Sequence, residues 1–205
     1  PPRWTQDEII TSNGVKVIAM GSGQQLRGLR YKESRPTLMI LDDIEPDEAV
    51  DNPDSRYKLE DWVNKTVLNM GDLYTNVMII GTIHHPASLI AKYTDRKQSP
   101  VWDSRVYKAI IAFSEHPELW EKWKRILIGT EEYDGEFGRD AAEKFHKKNE
   151  TAMLKGVKLL CPEWVSYYEL MLKREQVGYS AFDAEMQNDP INPRDCSFDM
   201  TEVRY

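Results

Sequence analysis

The sequence predicts an α/β fold in which a parallel sheet flanked by helices is followed by a small, mainly helical region. Short apolar segments rich in β-branched residues alternate with helical stretches, at positions 15–20, 38–41, 77–80 and 106–112. Such alternation is typical of a parallel sheet. Beyond this part the strand pattern stops and helical spacing dominates. We therefore assign residues 1–112 to the first region and residues 113–205 to the second.

The stretch between the second and third predicted strands has the pattern of a helix. Asn52 and Pro53 supply an N-cap and a first-turn proline, and Gly71 ends the helix. Between these residues, the following positions recur at helical spacing and would form one face of the helix: Leu59, Trp62, Val63, Thr66, Val67 and Met70. Because parallel strands need a crossover of about a dozen residues or more, we expect this helix to pack on one sheet face.

The second region carries its own helix signals. We predict helices that begin at Pro117 and at Pro162, and a capping box formed by Asp140 and Glu143. The acidic, glycine-rich segment 129–138 is predicted to be a loop between helices.

Composition restricts the class of protein. The chain has 205 residues, 30% of them charged, and contains no apolar stretch near the roughly 20 residues that span a bilayer. We expect an intracellular protein with reduced thiols at Cys161 and Cys196. A net charge of −7 argues against uniform nucleic-acid coating but allows local basic strips, which occur at 27–32, 122–125 and 145–148. Such runs are more often solvated faces.

The most informative motif is Pro-Thr-Leu-Met-Ile-Leu-Asp-Asp at residues 36–43. A buried strand that ends in two carboxylates is typical of a Walker B strand, in which one of Asp42 and Asp43 holds Mg²⁺ through water and the other polarises the attacking water. An aspartate pair after a strand is also a common turn or capping device. The apolar run favours the first interpretation, a partial P-loop NTPase-like sheet, although no glycine-rich phosphate loop precedes it.

A second motif, Gly81-Thr82, follows the next buried strand, which we expect beside the first. Open α/β folds bind ligands at the carboxyl edge of the sheet, where the Thr82 hydroxyl can sense a γ-phosphate. A strand that simply ends in small turn residues explains the pair equally well. For His84 and His85 we predict packing or capping and no metal.

Taken in order along the chain, these and further residues resemble the large terminase subunit of tailed bacteriophages and prophages. The first matching stretches are Asn13-Gly14, the segment 21–28, Arg35-Pro36 leading into 38–45, and Gly81-Thr82. Those in the second region are Phe145, Asn149, Met153, Gly156, Cys161-Pro-Glu163, Gly178 and the segment 182–190, which contains Glu-Met-Gln-Asn-Asp-Pro.

The resemblance implies a motor that couples ATP hydrolysis to translocation of double-stranded DNA into a procapsid. The family has a P-loop ATPase core, a helical linker subdomain and a nuclease domain. Residues 1–112 would be the Walker B half of the core with its coupling motif, and residues 113–205 the linker. The implied cofactor is Mg²⁺ and the substrate ATP. The implied partners are DNA, the portal protein and the small terminase subunit, with a homo-oligomeric ring on the portal, in the bacterial cytoplasm and without a membrane.

The resemblance also implies residue roles. Asp42 and Asp43 would be catalytic, with Asp42 holding Mg²⁺ through water and Asp43 orienting the attacking water. Gly81 and Thr82 would couple nucleotide state to movement, and Arg27 and Arg30 would contact phosphate of the nucleotide or of DNA.

Two departures from the family pattern matter. Asp43 stands where the family often has glutamate, which leaves Glu45 as an alternative base. The phosphate loop is expected upstream of Pro1 and the nuclease acids beyond Tyr205, so we expect residues 1–205 alone to be inactive.

Two other classes of function remain open from the sequence. One is a metal-dependent nuclease in which Asp42, Asp43 and Glu45 bind two ions directly. The other is a non-catalytic module whose helices dock partner proteins.

Overall fold

The computed structural model describes residues 2–21, 28–46 and 50–190. They form two compact units, one comprising Pro1–Thr82 and Ala87–Pro100, the other Ile83–Pro86 and Val101–Tyr205. The fold is mixed α/β with a small parallel sheet flanked by helices, which confirms that part of the prediction. None of the helices described is both long enough and apolar enough to cross a membrane.

The first unit begins with a three-stranded antiparallel sheet of β1 (Arg3–Trp4), β2 (Glu8–Ile10) and β3 (Lys16–Ile18). The apolar segment 15–20 was expected in the parallel sheet, and this expectation is wrong. A tight turn in which the Gly14 amide donates to the Thr11 carbonyl reverses the chain between β2 and β3. Strands joined by so short a turn can only pair antiparallel.

The parallel sheet consists of β4 (Leu38–Asp42) and β5 (Asn76–Ile80), paired so that Leu38 lies opposite Asn76 and Asp42 opposite Ile80. The expectation that these two strands are neighbours is confirmed.

A crossover helix, α1 (Pro53–Trp62), joins β4 to β5 and continues as a π-helical turn, Val63–Val67, and a 3₁₀ turn, Leu68–Met70. The Asn52 side chain accepts hydrogen bonds from the first-turn amides, as the sequence predicts. Arg35 Nη1 donates to the Asn69 and Met70 carbonyls at the far end of the crossover.

The two faces of the β4–β5 sheet differ. On one face Met39 and Leu41 are buried and pack in a core with Val63, Val67 and Leu89, the first residue of α2 (Leu89–Thr94). The opposite face leaves four large apolar side chains at least half exposed: Leu38, Ile40, Met78 and Ile80.

The second unit is mainly helical. Its elements are β6 (Ile110–Ala112), α3 (Pro117–Ile128), α4 (Arg139–Met153), β7 (Lys158–Leu159), α5 (Tyr167–Val177) and α6 (Tyr179–Gln187). The segment 106–112 was predicted to join the parallel sheet, but only its last three residues form a strand. That strand pairs antiparallel with β7, and Ile110 packs in the core of the helical unit.

The helix starts are partly as predicted. Pro117 begins α3, and the segment 129–138 is a connection between helices. The prediction of a capping box formed by Asp140 and Glu143 is wrong, because α4 starts at Arg139 after Gly138 and has no side-chain cap. Pro162 does not begin a helix either.

The helix expected after Pro162 starts at Tyr167. Ser166 and Glu169 form a reciprocal capping box there, which fixes the helix start five residues after the proline.

Aromatic side chains dominate the core of the second unit. The Trp120 ring lies edge-on to the Trp123 and Tyr167 rings, with centroids 5.2 and 5.1 Å apart. Phe145 and Phe182 are buried in the same core. Edge-to-face pairs of this kind stabilise a core beyond the area they bury.

Candidate functional site

The acid pair and the Gly-Thr pair lie at one edge of the parallel sheet. Asp42 is opposite Ile80 in the strand register, and the Asp43 amide donates to the Ile80 carbonyl over 3.0 Å. A Cβ placed on Gly81 would lie 3.9 Å from Asp43 Oδ1. The carboxyl ends of β4 and β5 therefore bring the two motifs into contact distance.

The backbone turns sharply at the second aspartate. Asp43 has φ 48°, in the left-handed region, which asparagine and aspartate adopt more readily than other residues with side chains. Asp42 lies at the end of β4 on the same face as Leu38 and Ile40, because alternate strand residues share a face. Both carboxylates are exposed at this edge.

Gly81 has no unusual backbone angle and lies against the tip of a side chain from α2. A Cβ at this position would lie 2.5 Å from Ile90 Cδ1, in α2. A larger residue at this position would therefore require the tip of the Ile90 side chain to shift. Thr82 follows, half-buried, as the last residue of its stretch in the first unit.

Glu45 has a different role from the two aspartates. Its side chain is only 3% exposed, and Oε1 and Oε2 accept hydrogen bonds from the Leu89 and Ile90 amides over 2.7 and 2.9 Å. These amides belong to the first turn of α2, where a helix leaves its N–H groups without internal partners. The carboxylate therefore caps α2, a role that the sequence analysis missed because it did not predict α2.

The donor set at the sheet edge suits a hydrated Mg²⁺ ion. Mg²⁺ keeps several water ligands and is commonly bound through one or two carboxylates, which Asp42 and Asp43 can provide. Across the described ranges, no group of three or more histidine, cysteine, aspartate or glutamate side chains could hold a metal ion. The nuclease alternative requires Glu45 as one of the ligands of its two ions. Both Glu45 oxygens, however, accept hydrogen bonds from amides of α2.

The two arginines predicted to contact phosphate gain no support. Arg30 is exposed and Arg27 lies outside the described residues, as does most of the segment 21–28. Their roles stay predictions.

Several basic side chains of the runs in the helical unit are paired with acids. Lys122 Nζ and Arg125 Nε lie 3.3 and 2.8 Å from the carboxylate of Glu131, and Lys147 Nζ lies 2.6 Å from Glu143. These pairs make the runs at 122–125 and 145–148 less suited to attract nucleic acid than the sequence alone indicates.

Several residues that carry the resemblance in the second region have packing roles. Phe145, Met153 and Phe182 are buried, and Asn149 Nδ2 donates to the Phe145 carbonyl over 2.8 Å. Gly156 has φ 79°, and a Cβ there would lie 2.6 Å from Glu115 Cγ. The motif residues thus include positions that the fold itself requires.

Comparison with models of protein families gives no match for this chain, and no curated protein sequence matches it. The resemblance to large terminase subunits therefore rests on the motif residues and their order along the chain.

Proposed function

We propose that this chain is the Walker B half of the ATPase core, with the helical linker, of a large terminase subunit that packages double-stranded DNA. One observation carries the proposal: the parallel pairing of β4 and β5 puts Asp42 and Asp43 beside Gly81 and Thr82. This edge is where open α/β sheets bind ligands.

Asp42 holds Mg²⁺ through a water ligand, with its exposed carboxylate at the end of β4. When bound there, Mg²⁺ would supply positive charge that stabilises the transferred phosphoryl group. Asp43, exposed in the left-handed turn directly after β4, orients the attacking water and accepts its proton. The contacts of Glu45 with α2 favour Asp43 over Glu45 as the base.

The exposed face of the parallel sheet supports the proposal that the sheet belongs to a larger ATPase core. Parallel sheets are usually covered on both faces, whereas Leu38, Ile40, Met78 and Ile80 are at least half exposed. In our proposal the part of the core that carries the phosphate loop covers this face. Thr82 then couples nucleotide state to the helical unit, and the portal protein and small terminase subunit are partners of the assembled motor.

The test is ATP turnover by the full-length protein that contains these residues. Asp43→Asn should lower turnover at least about 100-fold, the lower range for loss of a general base, and leave nucleotide binding largely intact. Asp42→Ala should weaken binding of Mg²⁺-ATP as well. Asp51→Asn, a change at an exposed acid outside the sheet edge, is the matched control. Turnover by Asp43→Asn within a factor of two of the wild type contradicts the proposal.

A further inference from the structure

The residue that follows Thr82 is held by the end of α6. The Ile83 amide donates to Asn188 Oδ1 over 3.0 Å, and Asn188 Nδ2 donates to the Tyr107 carbonyl over 2.9 Å. Ile83 is only 8% exposed, so its amide needs a protein partner. One side-chain amide therefore joins two backbone segments of the helical unit.

The position of Asn188 is itself fixed. It ends α6 with φ 50° and ψ 40°, a left-handed conformation that asparagine adopts readily after a helix. The preceding residue, Gln187, is buried, and its amide, oriented with the nitrogen towards the Ile110 carbonyl, donates to that carbonyl over 3.1 Å and accepts from the Ile110 amide over 3.2 Å. The end of α6 is thereby attached to β6.

A second contact holds the same stretch of chain. His84 Nδ1 lies 3.5 Å from Glu185 Oε1, on α6. The two consecutive residues after Thr82 are therefore held at the end of α6. Both partners belong to the segment 182–190, which the sequence analysis identified only as a motif of the family resemblance.

We propose that Asn188 is a positioning residue that anchors the backbone one residue after Thr82, so that movement of Thr82 during ATP turnover is passed to the helical unit. This inference rests on the proposed function. Its structural part, the anchoring of Ile83 by the Asn188 amide, can be measured without ATP.

The main variant is Asn188→Gly, which deletes the amide while glycine accepts the positive φ without strain. Asp189→Ala is the matched control, because it removes only the exposed ion pair between Asp189 and Lys108. We expect DNA translocated per ATP in the full-length motor to fall at least about fivefold in Asn188→Gly and to stay unchanged in Asp189→Ala.

Thr82→Val should lower the same ratio. If both residues act on one path, the double variant should lose no more than the worse single variant. Asn188→Asp keeps the backbone preference but replaces the donor to the Tyr107 carbonyl with an oxygen, and should also uncouple the motor. It serves as the second variant if Asn188→Gly does not fold.

Amide hydrogen exchange tests the anchor in the 205-residue chain. Exchange at Ile83 should accelerate in Asn188→Gly and not in Asp189→Ala, and unchanged protection overturns the inference. An unchanged ratio of DNA to ATP in Asn188→Gly, with a lowered ratio in Thr82→Val, overturns the role of Asn188 alone. A full-length wild type without ATP turnover overturns the proposed function and the coupling role with it.

Discussion

Replacing Glu45 with glutamine tests whether this carboxylate stabilises the fold or acts in catalysis. The side chain is 3% exposed, and each oxygen accepts one amide hydrogen bond from α2. Glutamine has nearly the same shape but only one oxygen. Its amino group therefore faces one of the two amide donors, which loses its partner in a buried place.

The expected cost follows from these two bonds. A buried donor without a partner costs about 1–3 kcal/mol, and hydrogen bonds to a charged acceptor contribute about 1.5–3 kcal/mol. One bond is lost and the other loses its charged acceptor, so we expect the free energy of unfolding of the first unit to fall by about 2–4 kcal/mol. Glu33→Gln, at an exposed position, should change it by less than about 0.5 kcal/mol.

Urea unfolding followed by circular dichroism gives the free energy, and amide exchange at Leu89 and Ile90 localises the effect. Both amides should exchange faster in Glu45→Gln than in Glu33→Gln. If Glu45 were the catalytic base instead, Glu45→Gln would keep its stability and abolish ATP turnover in the full-length protein. That pair of results would refute the structural role and move the base from Asp43 to Glu45.

Two further predictions concern pH and isolated activity. His146 packs against the Trp120 and Tyr168 rings, and burial lowers its pKa. The charged groups near it are Glu143, Lys147 and Glu150. Because the pKa is lower in the folded state, His146 in the unfolded chain takes up a proton at higher pH than in the folded chain. Its contribution to stability is therefore full above a pH of about 6.5 and falls as pH drops towards the folded pKa; the loss of unfolding free energy between pH 7.5 and 5.5 should be smaller in His146→Phe. Residues 1–205 alone should show no ATPase or nuclease activity, and plasmid nicking with Mg²⁺ or Mn²⁺ that disappears in Asp42→Ala would instead support the nuclease alternative.

The elements predicted well are those specified by neighbouring residues. The crossover helix has its cap, its first-turn proline and its apolar face within residues 52–71, and each is found where the sequence predicts it. The segments 15–20 and 106–112 were placed in the wrong sheet. The strand pattern in a sequence predicts an extended backbone, but it does not predict which other strand the segment pairs with. The turn before β3 and the pairing with β7 decide that.

The site shows the same division. The acids of residues 42–43 and the Gly-Thr pair were identifiable because each lies at the end of an apolar strand, and parallel pairing brings strand ends together. The role of Glu45 was not identifiable, since its partners lie 44 and 45 residues away in a six-residue helix with weak sequence signals. A contact over that separation depends on the assembled fold.

The stretch of residues 83–90, which follows Thr82, is held near both ends by side chains from elsewhere in the chain. Its first amide, at Ile83, is bound by Asn188, and the amides of Leu89 and Ile90 are bound by Glu45. Glu45 follows the acid pair by two residues, so the backbone after Asp43 and the backbone after Thr82 are joined through a buried carboxylate. If Asp43 shifts during turnover, as our proposal requires, the bonds of Glu45 to α2 would oppose that shift. If Glu45→Gln loosens α2, it should lower DNA translocated per ATP less than Asn188→Gly does, because it leaves the Ile83 anchor in place.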